Sequence, residues 1–414
     1  MIRIRQRLDA SVLNDIPQEI ASQAKGLGLE KRVRPGQSVA VACGSRGIAN
    51  YDTIVLATVR TLQQAGLEPF IVPAMGSHGA ATAEGQKRVL EHSGISEEKM
   101  GVPIRSSLET VRLGETEDGI PVLIDRPASE ADYVVPVNRV KSHTDFTYEI
   151  ESGLMKMMAI GLGKRKGAAA YHRAVFNYGY SRVILTVARK VLESGRILFG
   201  VGIVENGYCQ TAVVRLFSPE ELEEGEKALL KQSKALEPHL PFEEVDILVI
   251  DLMGKDISGA GIDTKIVGRI LAPLLAEEPE IPRIKRIIVR DLTDDSDGNA
   301  AGIGLADFVT QKLVDKVDRE ATYINSLVAG VPEHAKIPLT VLSDREALEA
   351  AASTIGMVAP RDLRIIRIKS TKHLEELDVS ESYGPEVSGR ADLEVVLPAQ
   401  PLVFDENGNL GPFD

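Results

Sequence analysis

From Ser38 the chain alternates continuous apolar runs with stretches of helical period. SVAVAC at 38–43 is a buried-strand pattern, and after a Gly-bounded loop Ile54, Leu56, Ala57, Val59 and Leu62 fall on one face, with Asp52, Arg60 and Gln63 opposite. Gly66 stops that stretch and a second apolar run follows, so the segment predicts a βαβ unit. A second helix is expected from near Thr82 to Gly94 and a further strand over Asp132 to Val137. Both apolar runs end in polar loops, Ser45-Arg46 and Ser77-His78, and ligands in open parallel sheets collect beyond such carboxyl ends. Residues 218–244 are charge-rich and hold Pro219, Pro238 and Pro241 between two apolar-periodic regions. Beyond them VDILVIDLMG and IKRIIVRDL read as buried strands, with helices expected around Ile266 to Ala276 and Leu305 to Val317. The expectation is an α/β protein of two α/β domains, 1–238 and 239–414, with parallel or mixed sheets and an active-site cleft between them.

Length agrees with two domains, since 414 residues is two to three times the roughly 100–200 of a typical one. Charge narrows the partners. A net charge of −12, only 4% aromatics and no Trp disfavour backbone binding and base stacking on nucleic acid. The N-terminal stretch lacks the apolar run of a signal peptide, and no window of about 18 uncharged apolar residues exists, so a soluble, cytoplasmic protein without a membrane partner is expected. Cys43 and Cys209 are too few for a disulfide framework.

The Gly-rich pieces carry little chemistry. GLGKRKG at 161–167 fits neither the dinucleotide fingerprint nor the P-loop, and DDSDGNAAGIG at 294–304 lacks the Asp that an EF-hand loop needs at Thr293. Histidine says more: His78, His143 and His172 lie in or beside Gly-rich or strand-end segments, whereas His92, His239, His334 and His373 sit in polar contexts expected to be exposed. Arg46, in GSRGI, offers a planar fork suited to a carboxylate, with a surface ion pair as the plainer reading. In ESGLMKMMAIGLGKRKGAAAYHR, residues 151–173, Ser152 is placed to cap a helix that is apolar all round and has Lys156 inside it. A lysine so placed either snorkels or, desolvated, becomes a nucleophile or covalent anchor. Residues 141–173 carry six Lys/Arg against three acids, a local +3 that favours an anionic ligand such as a phosphate-bearing cofactor. A solvated basic turn is the competing reading of Lys164-Arg165-Lys166.

In order and spacing, GSRGI, GSHG, VKSHTDF, SGLMK and the downstream His172 resemble the nickel-dependent lactate racemase family. The likeness covers most of residues 35–180 and, broadly, the second domain. It implies a nickel-pincer nucleotide, a pyridinium mononucleotide carrying nickel, tethered to Lys156 beside Ser152 and Gly153, with His172 as a nickel ligand. It further implies His78 and His143 as an acid/base pair, and Arg46 with Ser45 as contacts to the substrate carboxylate. The activity implied is racemisation or 2-epimerisation of a 2-hydroxy carboxylic acid through reversible hydride transfer. Cofactor-synthesis proteins would be partners, and assembly into an oligomer is compatible with the sequence.

The chain has Cys43-Gly44-Ser45-Arg46-Gly47 where the lactate enzymes have Asp-His-Thr-Arg-Pro, and Met155 where they have Arg. A smaller loop leaves room for a longer 2-hydroxy acid, such as a sugar acid. Lys265 and Arg269 are the candidates for substrate contacts from the second domain. Three other readings stand beside this one: a zinc hydrolase with His78, His143 and His172 as ligands, Schiff-base chemistry at Lys156, and a non-catalytic carboxylate-binding protein.

Overall fold

The computed structural model describes residues 1–45, 47–144 and 146–413, so Arg46 and Asp145 lie outside the described residues. Its strands, in chain order, are β1 (Ile2–Gln6), β2 (Ser38–Cys43), β3 (Glu68–Pro73), β4 (Thr110–Glu115), β5 (Pro121–Asp125), β6 (Tyr133–Arg139), β7 (Gly200–Glu205) and β8 (Thr211–Phe217). They continue as β9 (Glu244–Met253), β10 (Arg283–Leu292), β11 (Phe308–Thr310), β12 (Leu339–Val341), β13 (Ile365–Ile368), β14 (Glu376–Val379) and β15 (Leu393–Leu397). Two compact units result: residues 9–143 with 147–237, and residues 1–8 with 144–146 and 238–414.

In the first unit the sheet order is β3-β2-β6-β7-β8, parallel through β7 and closed by antiparallel β8. The expected βαβ unit forms as read, with the Tyr51–Gln64 helix burying Ile54, Ala57, Val59 and Leu62 against Val39, Val41 and Ile71. The Ala83–His92 helix also forms, with the Thr82 side chain accepting from Gly85 N. The connection from β2 runs toward β3 and that from β6 toward β7, so strand order reverses between β2 and β6. Crevices at such reversals, outside the carboxyl ends, are where open α/β sheets bind ligands. A separate β4-β5 hairpin completes the unit.

The second unit holds one mixed sheet, β12-β11-β10-β9-β13-β14-β1-β15. β9 and β10 pair in parallel along eight registered positions, as expected of two apolar runs buried on both faces. Three expectations need correction. Residues 1–8 were grouped with the N-terminal domain, but β1 pairs antiparallel with both β14 and β15, because Ile2 and Ile4 share a face that the C-terminal core completes. The helix expected over Ile266 to Ala276 is one turn, Thr264–Val267, stopped by Gly268 in left-handed conformation. Within Leu305 to Val317, Phe308–Thr310 is a strand beside β10, and helix spans only Gln311–Asp315. No helix among the described residues is long and apolar enough to cross a membrane.

Candidate active site

At the strand-order reversal, Gly44 follows β2 and Asn138 lies near the end of β6. A Cβ on Gly44 would stand 2.3 Å from Asn138 Oδ1 and 3.2 Å from Met157 Cε, so the SVAVACGS turn, β6 and the lysine segment meet with no room for a side chain. Asn138 Nδ2 donates to Gly153 O at 3.2 Å. The backbone is fixed from another side by Tyr51, whose hydroxyl accepts from Gly44 N at 2.6 Å and donates to Val137 O at 2.8 Å. Ser45 is half-buried at this turn.

The GSH loop joins the same assembly. Ala74 N donates to Cys43 O at 2.7 Å and Gly76 N to Gly161 O at 3.3 Å. A Cβ on Gly161 would lie 2.6 Å from Ala74 O, so glycine is what lets the two backbones touch. Exposed His78 closes this loop, its N–H bonded to Met75 O at 3.1 Å. Gln86 holds the loop from below, its Nε2 donating to Gly76 O at 2.9 Å.

Lys156 is half-buried at the end of the Leu154–Lys156 helix, where the chain passes into a π-helical turn, Met157–Gly161. Single π turns mark functional sites disproportionately. Ser152 does not cap this helix: its N–H and C=O pair with Lys141, and the N-cap is buried Gly153. The cap comes instead from Glu226, on the Leu222–Leu236 helix, whose Oε2 accepts from Met155 N at 2.8 Å. Glu226 is fully buried and its Oε1 has no hydrogen-bond partner. Burial pushes its carboxyl from 4.5 up to about 8, against the Met155 hydrogen bond that lowers it.

The Lys141–Ser152 pairing also closes the 142–151 loop. His143 N donates to the buried carboxylate of Glu151 at 2.6 Å, and Lys234 pairs with Glu151 at 2.5 Å. His172 lies on the Lys164–Tyr178 helix beside Tyr171, whose buried hydroxyl accepts from Leu123 N at 2.9 Å and pins that helix to β5. Gly179, with φ +76°, breaks the helix and turns the chain back, so that Tyr180 meets both imidazoles. Its ring centroid is 6.0 Å from that of His143 and 6.5 Å from that of His172.

Lys164 departs from both readings of the basic turn. It is fully buried, 3.4 Å from Asp125 Oδ1, and hydrogen-bonds to Pro73 O and to Gln86 Oε1. Burial pushes Asp125 up to about 6 and Lys164 down, so desolvation exceeds their mutual attraction. Lys164 and Gln86 thereby tie the end of β3 and the His78 loop to the helix that carries His172.

Other expectations fare differently. His78, His143 and His172 are not gathered as a zinc site would require, since no three His, Cys, Asp or Glu side chains among the described residues form a metal-sized group. Arg269 bonds Asp307 at 3.0 Å and Leu305 O at 2.8 Å, a structural engagement rather than a substrate contact. His334 is buried, with Nε2 2.7 Å from Ile270 O, not exposed. Sequence reading missed Tyr180, Gln86 and Glu226. For Glu226 a signal existed, because it shares the buried stripe of Leu222, Leu229, Leu230 and Ser233.

No curated protein matches the chain in sequence. Among solved structures, lactate racemase apoprotein from Thermoanaerobacterium thermosaccharolyticum aligns with TM-score 0.53 and 13% identity, over 90% of this chain and 93% of that one. A protein from Thermotoga maritima aligns with TM-score 0.51 and 14% identity, over 89% and 99% respectively. Both likenesses are of fold. Residues 9–183 match the family described as lactate racemase N-terminal domain, a span that holds His78, His143, Lys156, Lys164 and His172. Over residues 9–183 the chain is therefore similar to the N-terminal domain of lactate racemases.

Proposed function

We propose that the protein is a racemase or 2-epimerase of a 2-hydroxy carboxylic acid that works with a nickel-pincer nucleotide tethered to Lys156. The observation that carries this reading is the packing of the GSH loop and the π-turn after Lys156 on each other, at the strand-order reversal between β2 and β6. The donor set fits the group. Lys156 offers an amine for a covalent link, and neutral imidazole at His172 is a ligand type suited to nickel. When bound, the cofactor supplies a site that takes and returns the substrate's Cα hydride.

The chain's own residues do the rest. His78 and His143 take the substrate hydroxyl proton in one direction and return it in the other, work for which imidazole is suited near neutral pH. The family's pattern gives the carboxylate to Arg46 and Ser45. Tyr180 holds the relative position of His143 and His172 by packing against both rings. Glu226 fixes the turn that presents Lys156, and Lys164 with Gln86 fixes the loop that presents His78. The short Cys43-Gly44-Ser45 turn favours a substrate longer than lactate.

The test is intact mass, peptide mapping and metal analysis on protein made in a host that synthesises the cofactor. The expected result is an adduct on Lys156 and about one nickel per chain, both lost in Lys156→Ala. An unmodified lysine in such a host would refute the proposal, and loaded protein then goes to a stereochemical screen of 2-hydroxy acids.

A further inference from the structure

The Lys164–Tyr178 helix carries Arg165, Lys166, Ala169 and Arg173, which with Leu108 line a cavity of about 330 Å³. All three cations are exposed, and among the described residues none of them takes part in an ion pair. The next helix behaves otherwise: its Arg182, Arg189 and Lys190 pair with Asp118, Glu223 and Glu193, each at 2.6 Å. Glu109, the acid adjacent to Leu108, is held by Arg126 at 2.6 Å. A chain with 60 acids and 48 bases has carboxylates to spare, yet it converges three cations on one concavity and leaves them uncompensated. Water and salt screen the repulsion among these exposed cations, and an anion entering the concavity would be attracted by all three.

Two guanidinium forks and an ammonium match the several oxygens of a phosphate, whereas a single carboxylate would be met by one fork. The cavity is at the small end of the roughly 300–1,000 Å³ typical of small-molecule sites, more than bare phosphate needs. Leu108 and Ala169 give it an apolar wall for the body of such a ligand. We propose that this cavity binds the phosphate of a phosphomonoester small molecule. As an anchor for the tethered nucleotide's own phosphate, three residues upstream of His172 at Ala169 and next to it at Arg173, it rests on the function proposed above. As a site for a free phosphomonoester it does not.

Isothermal titration calorimetry of the full-length chain from a host that lacks the cofactor tests this, in low salt, with nicotinic acid mononucleotide, its nucleoside and inorganic phosphate as probes. The mononucleotide is expected to bind and the nucleoside to bind at least about tenfold more weakly, with Arg165→Gln/Arg173→Gln losing about tenfold or more for the mononucleotide. Both substituted residues are exposed, so an unchanged melting temperature checks the fold. Equal binding of nucleoside and mononucleotide, wild-type affinity in the double variant, or no binding of any probe would overturn the proposal. Repeating the titration on chain with a mass-confirmed Lys156 adduct identifies the source of the phosphate. Lost binding assigns the cavity to the tethered nucleotide, and retained binding to a free phosphomonoester. If no adduct ever forms, the function proposed above fails while the titration on the unloaded chain still decides the phosphate site.

Discussion

Glu226→Gln turns the buried cap into a measurement. In the folded protein burial raises this carboxyl from 4.5 to about 8, so the folded state keeps its proton at pH values where the unfolded chain has released it. Stability from this group is therefore present below pH 4.5 and lost as pH rises toward 8. At about 1.4 kcal/mol per pH unit, the interval from 4.5 to about 8 corresponds to about 5 kcal/mol as an upper bound. Glutamine keeps an acceptor for Met155 N and has nothing to ionise. Urea denaturation at pH 5 and pH 9 should show the two proteins close at the lower pH. At the higher pH the variant should be more stable by several kcal/mol, on the order of that bound. A gap between the two proteins that does not change with pH would refute the assignment of Glu226 as a buried, neutral acid.

Other substitutions probe the same assembly. Gly161→Ala puts a Cβ 2.6 Å from Ala74 O; it should destabilise by about 1–3 kcal/mol in thermal melts and slow racemisation by displacing the His78 loop. Asp125→Asn leaves Lys164 buried without its acid and should cost about 3–5 kcal/mol, with Asp125→Leu/Lys164→Met recovering part of the loss in chemical denaturation. His78→Ala and His143→Ala should abolish racemisation with the Lys156 adduct intact by mass, while His172→Ala should lower bound nickel; unchanged activity removes the residue concerned from the scheme. Arg46→Lys should raise KM for the substrate despite the retained charge, because the fork is lost.

The parts of the fold that were legible in the sequence are those governed by local periodicity. The run SVAVAC, the 54–62 stripe and the helix start near Thr82 each report structure within a few residues of themselves, and each forms as read. The misread parts depend on distant partners. Phe308–Thr310 has a helical neighbourhood in sequence and becomes a strand because β10 offers an open parallel edge. Ser152 has the chemistry of a cap, but its backbone is taken by Lys141 and the cap arrives from Glu226, 71 residues beyond the Met155 it bonds. Lys164 looks like Arg165 and Lys166 in sequence, and only the positions of Pro73, Gln86 and Asp125 separate a buried structural lysine from two solvent-facing ones. Tyr180 shows the same limit, since its role follows from the reversal at Gly179.

The place of β1 bears on how the chain is made. It lies between β14 and β15, so residues 2–6 wait for residues 376–397 to be synthesised before they have both neighbours. Until then β1 is a strand of alternating Ile and Arg with two unpaired edges, the kind of exposure that invites association between nascent chains. Arg3 and Arg5 sit on that strand as charged gatekeepers and end in pairs with Asp378 and Glu376. A fragment cut at residue 238 would inherit the defect permanently, with β14 and β15 separated by a missing strand. Domain dissection of this protein therefore calls for a circular permutation that carries residues 1–8 to the other end, rather than a truncation.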